Sequence, residues 1–299
     1  MVYLGCISQS QFIRDKKTGK TIPKSPQPFW IWKKVVNFNN NLNPKVVIEE
    51  RIYQDKPYKV VRDDLLPAGS KQRVMQDIFK SHPGGLIYPG PANGFAQVAL
   101  ALGAKEFNSK VVILIPKMRP LTAQTILAAQ LGAEIIEFEG DNAKLANMRT
   151  AAEKIINKDN NNNKIKLYMP KLGFAGDEFK NAFISALKES LDLDRAGVYS
   201  FWVVGGSGTL ALTLLDMFQN SKVNVVQVGK QIDWYFKDNL WAKLYIANEG
   251  FYEAAKDPPP YPSVSNYDAK VWQFAKKAII EQNETPTIIW NVAGEAKIF

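Results

Sequence analysis

The sequence is short of the residues that most directly bring metal, disulfide or thiol chemistry. It has one cysteine, Cys6, and one histidine, His82. A single cysteine cannot close an intrachain bridge, so a reducing compartment is expected. The same count argues against a zinc site built from cysteine and histidine. Catalysis by a Cys–His pair would require Cys6 and His82 to meet in space, and nothing local in the sequence brings them together. Long apolar runs are also missing. No stretch reaches the roughly 18 apolar residues of a membrane-spanning helix. The N-terminus, MVYLGCISQSQFIRDKK, lacks an apolar segment followed by a small-residue cleavage site, so it does not read as a secretory signal. A cytoplasmic protein with no membrane partner is expected. Acidic residues are outnumbered, 29 Asp+Glu against 38 Lys+Arg, for a net charge of +9. That excess suits a polyanionic partner and suits plain solubility equally well.

What is present is ordinary for a folded protein. The chain has 299 residues, 46% hydrophobic and 22% charged. This excludes disordered and fibrous classes, and the length suggests about two domains or lobes.

The first 60 residues are mixed, with strand-like runs at Lys45–Ile48 and Tyr58–Val61. NNNLNP and KDNNNNK favour turns and read as surface connections. From about residue 84 a rhythm sets in. GGLIYPG is a short apolar run ending in Gly and Pro, VVILIP and EIIEF read as strands, and VVILIP has the continuous β-branched character of a strand buried on both faces. FAQVALALGAKEF, LTAQTILAAQLGA and DNAKLANMRTAAEKIINK read as helices between and after them. The rhythm resumes with KIKLYMP as a strand, DEFKNAFISALKESL as a helix, VYSFWVVGGSGTLALTLLDMF as strand, turn and helix, and VNVVQVG as a strand. AKVWQFAKKAIIEQ as a helix and TIIWNVAG as a strand close the chain. Alternation of this kind predicts an α/β protein of two lobes with parallel sheets.

Four segments carry candidate chemistry. Gly205, Gly206, Ser207, Gly208 and Thr209 join an apolar strand to an apolar helix. Such a turn exposes backbone N–H groups to an anion, with hydroxyls in support. It has no lysine in the Walker position and is not a full dinucleotide fingerprint. It is a phosphate cup or a tight turn without a ligand. In Arg62-Asp63-Asp64-Leu65-Leu66-Pro67-Ala68-Gly69-Ser70-Lys71-Gln72-Arg73, a Gly-Ser turn sets Lys71 at the head of a helical run. The helix dipole and nearby Arg73 would both lower its pKa, which suits an amine nucleophile. The other reading is a solvated surface lysine. Asn93, in Tyr88-Pro89-Gly90-Pro91-Ala92-Asn93-Gly94, can orient a ligand oxygen or cap a helix. Asp268 follows a stiff proline-rich loop and Tyr267, and is either a carboxylate held in a site or the opening of a helix.

In this order, the four segments resemble fold-type II pyridoxal-phosphate enzymes, the tryptophan-synthase-β-like superfamily. The branch most resembled is that of 1-aminocyclopropane-1-carboxylate deaminase and D-cysteine desulfhydrase. RDDLLPAGSKQRV is similar to that branch's R-x-D-L…G-G-N-K-x-R-K-L, and Ser265-Asn266-Tyr267-Asp268-Ala269-Lys270 to its D-P-V-Y-E-G-K. The resemblance implies pyridoxal 5'-phosphate as cofactor, with Lys71 as its Schiff-base lysine and Asn93 on the ring hydroxyl. It puts Gly205, Gly206, Ser207, Gly208 and Thr209 around the phosphate, Asp268 on the pyridine nitrogen, and Tyr267 in the active site as a catalytic residue. It implies a large cofactor lobe from residues 1–83 and 156–299, a small lobe from 84–155, and a homodimer.

The resemblance spans roughly residues 60 to 295. It departs from the pattern at Ala92, where the branch has a substrate-holding serine, and at Asn291-Val292-Ala293-Gly294, where it has H-T-G-G. A different amino-acid substrate is therefore expected, handled by lyase or deaminase chemistry at its α and β carbons through a quinonoid. Two alternatives stand beside it. One is an amino-acid-modified base in DNA, suggested by the net charge and by the aromatic and cationic run Pro28–Lys34. The other is a non-catalytic binding protein on the same scaffold.

Overall fold

The computed structural model describes residues 12–14, 21–23, 41–161, 166–229, 231–233, 236–281 and 285–296. Two compact units are present. Met1–Asn37, with Phe299, contains a short antiparallel pair, β1 (Phe12–Arg14) and β2 (Thr21–Pro23). Cys6 and Pro28–Lys34 lie outside the described residues. The second unit, Phe38–Ile298, holds everything else.

Two sheets organise the second unit. The larger is built from β3 (Ile48–Tyr53), β4 (Lys56–Arg62), β8 (Ser200–Gly205), β9 (Lys222–Gln227), β10 (Ala242–Ile246) and β11 (Thr287–Asn291), in the order β10-β9-β8-β11-β4-β3. Its neighbours are parallel except for the hairpin β3–β4. The smaller is parallel, β5 (Leu86–Pro89), β6 (Val111–Pro116) and β7 (Glu134–Phe138), extended by an isolated bridge from Leu86 to Tyr168.

Alternation along each strand builds the core on both sheet faces. Val61, Val203 and Trp290 face one cluster, which also takes Leu86 and Ile113 of the smaller sheet. Val60, Trp202 and Ile289 face another, covered by α7 (Trp272–Glu281). The covering residues are Trp272, Ala275 and Ile279, the stripe spacing of an amphipathic helix. Ile87, Val112 and Leu114 face a third cluster with Met148 and Ala152 of α4 (Leu145–Asn161). The remaining helices are α1 (Met75–Ser81), α2 (Phe95–Glu106), α3 (Ala123–Gln130), α5 (Asp177–Ser190) and α6 (Thr209–Met217).

The structure corrects several expectations. Among the described residues, KIKLYMP yields only the bridge at Tyr168. The strand expected at Lys45–Ile48 begins at Ile48, and β10 has no counterpart in the sequence reading. The start of KDNNNNK continues α4 to Asn161. The end of NNNLNP is part of the body: Leu42 is buried, and Asn43 donates to the Ala186 carbonyl at 2.9 Å and accepts from Arg73 at 3.0 Å. Asparagine favours turns, but here its amide also satisfies groups that would otherwise be orphaned.

Candidate active site

The candidate residues gather where strands end. Asp63 follows β4, Gly206 follows β8, and Val292 follows β11. Strand order runs outward from β8 to β10 and then returns to β11 on the other side of β8. This is a topological switch point, and ligands of open parallel sheets bind outside the carboxyl ends there. One cavity at this end is lined by Ser70, Lys71, Gly206, Ser207, Thr209 and Tyr267, among others.

Lys71 sits in a 3-10 turn, Gly69–Val74, directly before α1. Asp63, fully buried, ties that turn down. Its Oδ1 accepts two bonds from Arg73, at 2.6 and 3.0 Å. Its Oδ2 accepts from the Ser70 hydroxyl at 2.6 Å and the Trp290 indole N–H at 3.0 Å. Arg73 is therefore spent on Asp63, Asn43 and the Pro44 carbonyl. Burial lowers the pKa of Lys71, and Asp268 opposes that shift. The expected direction holds, but desolvation is the cause, in place of the helix dipole and Arg73. Replacing Arg73 by Met should destabilise the protein by about 3–5 kcal/mol, because it strands a buried carboxylate; a denaturant midpoint equal to wild type would contradict this.

Gly69 has a backbone reason to be glycine. Its φ is +64°, and a Cβ there would run into the Val292 carbonyl oxygen. The clash is with backbone, so no side chain can yield. Gly69→Ala should cost more than about 1 kcal/mol, read as a lowered urea midpoint.

Asp268 opens a short 3-10 turn before α7 but does not cap it. Its Oδ2 instead accepts the Ala293 N–H at 2.8 Å. Its Oδ1 is buried with no partner among the described residues. Burial raises its pKa well above the ordinary carboxylate value, while Ala293 and Lys71 pull it down. The neighbouring Tyr267 hydroxyl lies against Gly206. Burial pushes the Tyr267 phenol above its ordinary value, with Asp268 adding to the shift.

The glycine-rich segment joins β8 to α6, but Gly205, expected in the turn, is the last residue of β8 and pairs with Gln227 in the sheet. Gly208, at φ +77°, is the residue before α6 and leaves the first N–H groups of that helix without intrahelical partners. The Thr209 hydroxyl donates to the Phe174 carbonyl at 3.0 Å and lies 3.1 Å from the Ser207 hydroxyl. Ser207 thus has the hydroxyl better placed to serve a ligand. A strap crosses here that the sequence reading missed. Gly173 packs on Ser207, and its N–H donates to the Tyr88 hydroxyl at 3.1 Å. Burial raises the Tyr88 phenol to about 12.

Asn93 lies half-buried between β5 and α2, and its side chain has no hydrogen-bond partner among the described residues. The helix cap is Gly94, so capping does not explain Asn93. The loop before it is held through the Ala92 carbonyl, which accepts from Gln97, Thr122 and Thr125. Asp63, Ser70, Trp290 and Gln97 were not singled out as site residues. The R-x-D-L pattern falls on Arg62, Asp64 and Leu65 and leaves Asp63 at its variable position, and Trp290 and Gln97 lie outside every motif.

No profile of a known protein family matches the chain, and no curated protein sequence does. Solved structures do. A crystal structure of an ACC deaminase homologue is similar at 16% identity over 85% of this chain and 91% of that one, with a TM-score of 0.69. An O-acetylserine-dependent cystathionine β-synthase from Helicobacter pylori is similar at 16% identity, covering 88% and 96%, TM-score 0.63. A hydrogen sulfide-producing enzyme from Fusobacterium nucleatum is similar at 13% identity, covering 88% and 99%, TM-score 0.60. The chain has the fold of the fold-type II pyridoxal-phosphate enzymes, the architecture its four segments resemble.

Proposed function

We propose that this protein is a pyridoxal-phosphate enzyme that acts at the α or β carbon of an amino acid, by lyase or deaminase chemistry. The observation that carries the reading is the unpartnered Oδ1 of Asp268. This buried carboxyl oxygen lies within electrostatic reach of Lys71, which lines the same cavity as the glycine-rich turn. An isolated buried acceptor is costly unless something donates to it. A protonated ring nitrogen is such a donor. The residues present therefore fit the cofactor. The similar structures named for a deaminase homologue, a synthase and a sulfide-producing enzyme support the amino-acid substrate class. We also propose a lobe division at residues 84–155 against the rest, supported by the separate smaller sheet. The sequence-based large lobe includes Met1–Asn37, which is a unit of its own in the structure.

Each residue has a role set by its surroundings. Lys71, whose pKa burial lowers, would hold the cofactor through its amine and, when free, would move the proton at the substrate α carbon. Asp268, when ionised, would hold the proton on the ring nitrogen. The turn Gly206–Thr209 offers backbone N–H groups and the Ser207 hydroxyl to the phosphate. Asn93 is available to the ring hydroxyl. Tyr267 keeps its proton at neutral pH because burial raises its pKa, so it serves as a donor rather than a base. Phe183, Val204, Leu210 and Val292 form the apolar walls that exclude water. When bound, pyridoxal phosphate supplies an electron sink for the bonds at the α carbon.

The test is turnover. Protein loaded with pyridoxal phosphate is incubated with a panel of L- and D-amino acids bearing β leaving groups, and ammonia, 2-oxo acid and sulfide are assayed. Release of one of these from a subset of the panel is expected. Cofactor uptake without any product would contradict the lyase reading and favour the binding-protein alternative.

A further inference from the structure

We infer that Ser70 is a positioning residue for Lys71, clamped by Asp63 and Trp290 so that the lysine amine stays directed into the cavity and away from water; this rests on the proposed covalent role of Lys71. Ser70 immediately precedes Lys71 and is held from three sides. Its hydroxyl donates to Asp63 Oδ2 at 2.6 Å. Its oxygen accepts from the Trp290 indole N–H at 3.2 Å. Its backbone N–H donates to the Val292 carbonyl at 2.7 Å. The anchors come from the turn after β4, from β11, and from the segment after β11. Ser70 is 4% exposed and lines the same cavity as Lys71. Asp63 in turn is saturated by four donors, so it cannot drift.

The clamp acts on reactivity because the burial that the clamp maintains is what lowers the pKa of the Lys71 amine. Asp268 is the group whose charge, when it is ionised, acts on Lys71 among the described residues, and it favours the ammonium form. Tyr267, Ser207 and Thr209 line the cavity, and Asp63 and Arg73 pair with each other beneath it. Slack in the backbone at Ser70 lets the amine reach water, and its pKa then rises toward that of a free lysine.

The experiment uses the full chain stripped of cofactor. The rate of borohydride-reducible attachment of pyridoxal phosphate to Lys71 is followed from neutral to alkaline pH, with a thermal melt alongside. For Ser70→Ala the midpoint of the rate profile should move up by about half a pH unit or more, which is about a threefold slower attachment at fixed neutral pH. Ser70→Thr, which keeps the hydroxyl, should restore the wild-type profile. Trp290→Phe should shift it in the same direction by less, and carries the test if Ser70→Ala does not fold. A lower melting temperature with an unchanged midpoint and rate would show a purely structural serine and overturn the inference. Absence of attachment to Lys71 in the wild type would instead overturn the proposed function, before any variant is compared.

Discussion

Lys71→Ala should give a folded, colourless protein that releases pyridoxal phosphate on dialysis and turns over amino acids about 10³-fold more slowly or worse. The fold should survive because the lysine side chain bears no weight in its own turn. Ser70 and Arg73 on either side carry the bonds to Asp63, and Ser70 carries the bond to Val292. Removing the lysine side chain also removes the desolvation cost of its charged form. The chemistry should not survive, since covalent attachment and proton transfer at the α carbon both depend on this amine. Absorbance spectra after dialysis and a melting curve check both halves of the expectation. A Lys71→Ala protein that remained coloured and active would place the covalent anchor elsewhere.

Asp268→Asn should have the next largest effect. The amide oxygen can still accept the Ala293 N–H, so the turn before α7 keeps its tie to the segment after β11. What is lost is the carboxylate that holds a proton on the ring nitrogen. Turnover should fall by about 10²-fold or more, the scale seen when a directed electrostatic contact is deleted from a dry site. Cofactor uptake should persist through Lys71. Steady-state rates and the visible spectrum of the variant check this.

Asp268 also makes a pH prediction for the cofactor-free protein. Its folded-state pKa lies above the ordinary value of 3.8 because of burial. The folded state thus keeps a proton that the unfolded chain has already lost. Stability must fall as pH rises from the ordinary carboxylate value through the raised one. Lys71 has the opposite sign, since its lowered pKa makes stability rise with pH below 10.5. Asp268→Asn should remove the acid-side slope and leave the alkaline one. Melting temperature against pH, for wild type and variant without cofactor, reads this directly.

The fold was legible wherever burial on both faces wrote itself into a run of residues. VVILIP, EIIEF and VNVVQVG coincide with β6, β7 and β9, and FAQVALALGAKEF with α2. Ala242–Ile246 escaped because an edge strand half-exposed to water has no such signature. Asn41 to Pro44 misled because composition reports the preference of asparagine for turns, whereas Arg73 and the end of α5 use its amide as a partner. The site was legible where a motif forces local geometry. The αL position at Gly208 and the turn holding Lys71 are of that kind. It was illegible where the bond joins residues far apart. Trp290 reaches Asp63 across 227 positions, and Gly173 reaches Tyr88 across 85, and no local pattern encodes either. The reason for the lowered Lys71 pKa was misread for the same cause. Sequence shows Arg73 two residues away but does not show that Asp63 has taken it.

The central claim is that Lys71 is the covalent anchor of a pyridoxal-phosphate enzyme. The most direct measurement is to incubate the purified chain with pyridoxal phosphate, reduce with borohydride, digest, and locate the modified residue by mass spectrometry. The account predicts one pyridoxyl group per chain, on the peptide containing Gly69-Ser70-Lys71-Gln72, with loss of the visible band on reduction. Modification spread over surface lysines, or none at all, would contradict it.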